Sequence, residues 1–189
     1  RDSIGRGAWR EYWCSVVGVG VGGWWFWLVA GGWWLVNGVL VQGEVDQIKE
    51  AKEALEQAGQ EIDVQTLMGF LVDWHTIGPF DNTERQGFGV EHPPEKKIDL
   101  RASYKGKNEK VKWSAFSTPD PFGMLNINLQ YGEIKEVLAY GFTTFNSNSE
   151  QSAHFRIGSK NAWKLWLNGE LLFARDEYHR GTTRVDQFI

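Results

Sequence analysis

Between Val16 and Val41 the chain carries no charged residue, and that run is the first constraint on what it can fold into. It reads VVGVGVGGWWFWLVAGGWWLVNGVLV, longer than the about 20 apolar residues a helix needs to cross a bilayer, with length to spare for tilt. Seven of the 11 tryptophans fall in the first forty residues: Trp9, Trp13, Trp24, Trp25, Trp27, Trp33 and Trp34. Clustered indoles left in water associate, so lipid or protein has to cover them. The expectation is a transmembrane helix over residues 16–41, preceded by a cytoplasmic tail over residues 1–15.

Three other readings compete for the same run. It exceeds the about 7–15 apolar residues of a secretory signal core, and no small-x-small cleavage site follows it. A pair of buried strands is allowed by the Gly22-Gly23 and Gly31-Gly32 pairs. Gly18, Gly20 and Gly23 match G-x-G-x-x-G by letter, but that nucleotide motif needs a strand before it and a helix with an acidic residue about 20 positions on. Neither context is present. The glycines fit helix packing better: Gly18 and Gly22 form a small-xxx-small pair, and Asn37 is an amide able to hydrogen-bond across such an interface. Arg1, Arg6 and Arg10 precede the run, while Lys49 and Lys52 follow it among acids, which places the N-terminus in the cytoplasm. The chain begins at Arg1 rather than Met and reads as processed or as a piece of something longer.

Residues 42–72 read as a helical connector. Val45, Ile48, Ala51, Leu55 and Ala58 recur at helical spacing in one narrow apolar stripe, and Gly59 is a suitable stop. The charges of this stretch are mixed and mainly acidic, so it packs on its own domain or on a partner rather than on a membrane surface. Leu67, Met68, Phe70, Leu71 and Val72 suit a turn or short helix leading to the first strand.

From Asp73 onward, short alternating segments are separated by Gly, Pro, Asn and Asp clusters, the pattern of an antiparallel β-sandwich or barrel. Strands are expected over residues 137–145, 154–157 and 162–167. Asn168-Gly169 then provides a two-residue hairpin turn, with residues 171–174 as the return strand. The single cysteine, Cys14, excludes an internal disulfide, so packing must hold the fold.

Here the residues carry a resemblance. Trp74-His75-Thr76-Ile77-Gly78-Pro79-Phe80-Asp81-Asn82, then Gly87-Phe88 and His92-Pro93-Pro94-Glu95, resemble the opening of bacterial extracytoplasmic β-sandwich modules. Phe155 to Ser159 and Trp166-Leu167-Asn168-Gly169 are similar to the hairpin of galactose-binding-like and PA14-like sugar-binding domains. The resemblance covers residues 73–189 and implies a jelly-roll-like sandwich, sugar or protein binding, and a periplasmic setting outside a bacterial inner membrane. Two departures stand out. Lys160-Asn161 replaces the Asp pair of calcium- and sugar-binding relatives, and a lysine ammonium opposes a calcium site. The closing strand of such modules is absent, truncated or supplied by something else.

No catalytic set emerges. His75, His92, His154 and His179 lack zinc-ligand spacing. Asp73 and His75 share a strand face without a nucleophile motif beside them, and no metal ligands or cofactor are expected. Lys96, Lys97, Arg101, Lys105, Lys107, Lys110 and Lys112 lean basic, but Asp99, Glu109 and a net charge of −4 point to a solvated hairpin and not to nucleic acid. After the return strand, Arg175 and Tyr178 to Arg180 lie in a loop at one end of the sandwich. With Trp166 they are the residue types that dominate binding surfaces, so Trp166, Arg175, Tyr178 and Arg180 are the candidate partner- or ligand-binding residues. The expectation is a non-enzymatic, single-pass accessory subunit. Its helix meets other membrane subunits through Gly18, Gly22 and Asn37, and its mainly β domain docks on a larger complex such as a respiratory or photosynthetic assembly. A tethered carbohydrate-binding module is the alternative.

Overall fold

The computed structural model describes residues 10–20, 29–30, 45–57, 59, 61–147, 150, 155–159, 161–178 and 184–188. In chain order these hold β1 (Arg10–Gly20), β2 (Val29–Ala30), α1 (Val45–Gln57), α2 (Val64–Met68) and β3 (Asp73–Asp81). An irregular 3-10 segment over Thr83–Gly89, α3 (Pro93–Lys96), β4 (Ser103–Lys105), β5 (Lys110–Lys112), β6 (Ser114–Ser117) and α4 (Asn128–Tyr131) follow. The chain continues through β7 (Val137–Ser147), β8 (Phe155–Ser159), β9 (Trp163–Leu167), β10 (Glu170–Arg175) and β11 (Arg184–Phe188). The fold is mainly β. A six-stranded antiparallel sheet runs β10-β9-β1-β7-β3-β6, a second sheet runs β11-β8-β2, and β4 and β5 form a separate hairpin.

The N-terminal run departs from its expectation. Val16–Gly20 belong to β1, which lies between β7 and β9 with Arg10 opposite Ser147 and Gly20 opposite Val137. Val29–Ala30 pair with β8. No helix among the described residues is long and apolar enough to cross a membrane, and residues 21–28 and 31–44 lie outside them. The reasons that Arg10–Gly20 form a strand are local as well as tertiary. Val16, Val17 and Val19 are β-branched and suit extended backbone, whereas Gly18 and Gly20 are poor helix formers. An inner position gives β1 a hydrogen-bonding ladder on both sides, against β7 and against β9. Gly18 sits at a register position opposite Ala139 and Trp163 rather than on a helix-packing face. Gly22 and Asn37 lie outside the described residues.

The later strands follow the sequence closely. The turn between β9 and β10 has φ of +51° at Asn168 and +84° at Gly169, the left-handed pair that a type I′ hairpin requires. The basic stretch forms the short β4–β5 hairpin. Strand alternation sends Trp163 and Leu165 to one face of β9 and Lys164 and Trp166 to the other. Buried Trp74, Ile77, Phe80, Leu125, Leu138, Tyr140, Phe155, Ile157, Trp163 and Leu165 make one continuous core. A smaller cluster of Ile48, Val64, Met68 and Phe70 fixes α1 and α2 against the loop at Phe122 and Met124, so α1 packs on its own domain.

Several polar groups inside the sheet are satisfied in pairs. Trp74 Nε1 donates to Leu71 O at 2.9 Å, Thr143 Oγ1 donates to Asp73 O at 2.7 Å, and Tyr131 OH donates to Thr76 Oγ1 at 3.0 Å. Gln130 bridges Thr76 and Ser114. This network ties α4 across β3 and β6.

Candidate functional site

The site grows out of the turn after β3. Asn82 is buried, and its Oδ1 accepts the Gly87 amide at 2.9 Å. A side chain at position 87 has no room: its Cβ would lie 2.6 Å from Asp81 O and 2.8 Å from Leu138 Cδ2. That anchor sets Phe88 over the sheet and leads the chain into α3, which starts on Pro93 with its φ already helical.

Glu95 of α3 reaches down onto the sheet. Its Oε1 accepts the Tyr140 hydroxyl at 2.7 Å and the His92 backbone amide at 3.4 Å, and its Oε2 lies 3.3 Å from Lys164 Nζ. The side chains of Lys164 and Glu95 are only 14 % and 8 % exposed, so this is a nearly buried ion pair. The ammonium also stands 4.9 Å from the Phe88 ring centre and 5.7 Å from that of Trp166, where ring quadrupoles favour a cation. Burial, reinforced by the Glu95 carboxylate, pushes the Tyr140 phenol far above its ordinary range. Tyr140 therefore stays a neutral donor.

Beside this cluster opens a small cleft of about 30 Å³, lined by Pro94, Glu95, Lys96, Lys97, Ile98, Tyr140, Trp166 and Gly169. That volume is well below that of sites enclosing a drug-sized ligand, so the cleft admits only a small group of one. Trp166 is only 7 % exposed, so the indole forms a wall and offers no broad platform for stacking. The Glu95 carboxylate supplies acceptor lone pairs to the lining, and its Oε2 is paired at 3.3 Å with Lys164 Nζ, which is not part of that lining.

His92 wedges between the rings of Phe80 at 5.1 Å and Tyr140 at 6.1 Å. Its Nε2 is buried without a hydrogen-bond partner. Burial holds this imidazole below its ordinary 6.5, Lys164 acts in the same direction, and Glu95 and Asp81 oppose. As pH falls through about 6.5 the unfolded chain takes up this proton first, so stability declines until the folded imidazole also titrates. The urea midpoint is expected to drop between about pH 7 and about pH 5, and His92→Phe is expected to flatten that part of the profile. A slope unchanged in the variant assigns the effect elsewhere. Asp63 and Asp81, held below 3.8 mainly by the hydroxyls of Thr66 and Thr83, act in a separate window: the stability they add is lost only as pH falls below about 4.

The four residues expected to act together part company. Trp166 lines the cleft. Arg175 turns inward, with Nη2 donating to Ser159 O at 3.1 Å and its guanidinium 5.6 Å from the Trp163 ring. Tyr178 stacks under the Arg85 guanidinium at 4.7 Å, and Arg180 lies outside the described residues. Asp73 and His75 do not form an acid–base pair: Asp73 Oδ1 accepts from Ser117 Oγ at 2.7 Å, and the His75 ring faces Phe142 at 6.5 Å. Glu95, Lys164 and Tyr140 were not expected as site residues. The available signal was the period of β9, which puts Lys164 on the same face as a core tryptophan, where a charge needs a partner. Comparison with protein-family models, with curated proteins and with solved structures finds no match for this chain.

Proposed function

We propose that this chain is a non-catalytic binding module whose small cleft meets one edge of a polyol unit, such as a sugar residue of an extracytoplasmic glycan. The carrying observation is the Glu95 carboxylate in the cleft lining, charge-paired with Lys164 at 3.3 Å. A sugar hydroxyl donates to such a carboxylate. The Trp166 and Tyr140 rings supply apolar contact for ring carbons.

A glycan array followed by calorimetry tests the reading. Glu95→Gln is expected to weaken binding at least about tenfold, the loss of roughly one charge-assisted hydrogen bond. Tyr178→Ala, outside the cleft, is expected to leave it unchanged. Failure of the folded protein to bind any glycan, or equal loss in both variants, would reject it.

A second reading is an accessory subunit docked on a larger membrane assembly. It is favoured by adjacent exposed leucines on β10, which a sugar site does not use. Co-purification of a stoichiometric complex in mild detergent is its test.

A further inference from the structure

The two edges of the six-stranded sheet are built differently. At one end β6 is four residues long and reads Ser-Ala-Phe-Ser, a short polar edge of the kind that discourages pairing. At the other end β10 reads Glu-Leu-Leu-Phe-Ala-Arg, and no strand among the described residues pairs with its outer side. Neither lysine nor proline guards it. The register against β9 shifts between Leu171 and Phe173, so two successive leucines turn outward, 50 % and 41 % exposed. A bulge often protects an edge by twisting it away or presenting a charge. This one presents apolar side chains to water.

We propose that a second copy of this chain covers this edge, β10 against β10, antiparallel about a two-fold axis. The strand is self-complementary only in that sense. Its single acid, Glu170, is at one end, its single base, Arg175, is at the other, and four uncharged residues lie between. Antiparallel pairing brings the acidic end of each copy to the basic end of the other and sets Leu171 and Leu172 against the apolar middle of the facing strand. Parallel pairing would stack like charges. Because Arg175 holds Ser159 O, the end-to-end attraction acts across a short distance and not through a new ion pair. An isologous two-fold contact of this type closes after two copies, so it does not propagate into fibres. The proposal is independent of what the cleft binds. Where both hold, two clefts lie on one continuous sheet and a repeating glycan is bound with avidity.

Sedimentation equilibrium on the full chain, with the mass read in solution, tests it. The expected mass is twice 21.6 kDa, returning to 21.6 kDa in Leu172→Lys and in Leu171→Lys, with Leu129→Lys, an exposed leucine elsewhere, still dimeric. Thermal melting of each variant identifies any that fails to fold, and the other then decides. A monomeric parent chain overturns the proposal, as does a dimer that persists in a folded β10 variant.

Discussion

Trp163→Ala is expected to remove about 3–5 kcal/mol of stability, the range for truncating a fully buried large aromatic. Trp163 has no exposed surface. Its ring packs at 4.8 Å on Phe173 of the return strand and beneath the Arg175 guanidinium at 5.6 Å, and its backbone sits opposite Gly18 of β1. Truncation therefore opens a void where the hairpin, the inner strand and the second sheet meet. A domain of this size has about 5–15 kcal/mol in total, so the variant should sit near its unfolding threshold. The measurement is a urea titration. The midpoint should fall sharply while the slope with denaturant stays the same, because the surface exposed on unfolding is nearly unchanged. Leu129→Ala, at an exposed leucine of α4, should shift the midpoint by less than about 0.5 kcal/mol in equivalent stability. Equal effects from the two substitutions would mean that Trp163 is not the packing centre this geometry makes it.

The parts of the fold legible in the sequence are those specified by neighbours in sequence. Asn168-Gly169 states its own turn, because few other residue pairs tolerate two positive φ angles in succession. The stripe through Ile48 and Leu55 states a helix, and α1 is that helix. The Trp74 to Asn82 motif marks a strand, and the structure shows what its residues do: Trp74 and Phe80 are core, and Asn82 holds the Gly87 amide.

The N-terminal run is the opposite case. A stretch of valine, glycine and tryptophan satisfies either lipid or a sheet interior, since both ask only for apolar side chains and a fully bonded backbone. What decides for β1 is a pair of edges on β7 and β9, more than a hundred residues away, and nothing in the run itself announces them.

The candidate site was half legible for a related reason. Trp166, Arg175 and Tyr178 are all residue types suited to recognition, but type does not give direction. Arg175 turns inward to a backbone carbonyl, and Tyr178 to another side chain. Glu95 was visible only as the last letter of the His-Pro-Pro-Glu motif. Its role depends on Tyr140 and Lys164, 45 and 69 positions further on, meeting it across the sheet.

That meeting makes the second large prediction. Glu95→Ala should cost about 3–5 kcal/mol, the usual result of leaving one member of a buried ion pair without its counter-charge. Three groups lose their acceptor at once: the Lys164 ammonium, the Tyr140 hydroxyl and the His92 amide at the start of α3. Most of the loss comes from the stranded ammonium rather than from any intrinsic worth of the pair. Removing both charges while keeping volume, as in Glu95→Leu with Lys164→Met, should therefore recover much of it, because a packed apolar pair needs no desolvated ion. The single Lys164→Met variant should be nearly as damaging as Glu95→Ala, since the carboxylate then keeps only neutral donors. Glu95→Leu and Lys164→Met, made singly and together and completed by the parent, form a cycle whose coupling energy should be at least about 1 kcal/mol, favourable between residues in direct contact. The same double variant should lose all glycan binding while remaining folded, which separates the ion pair's part in recognition from its part in stability. A double variant as unstable as the sum of the singles would show that Glu95 acts through α3 alone, and that the Lys164 ammonium is solvated well enough to stand without it.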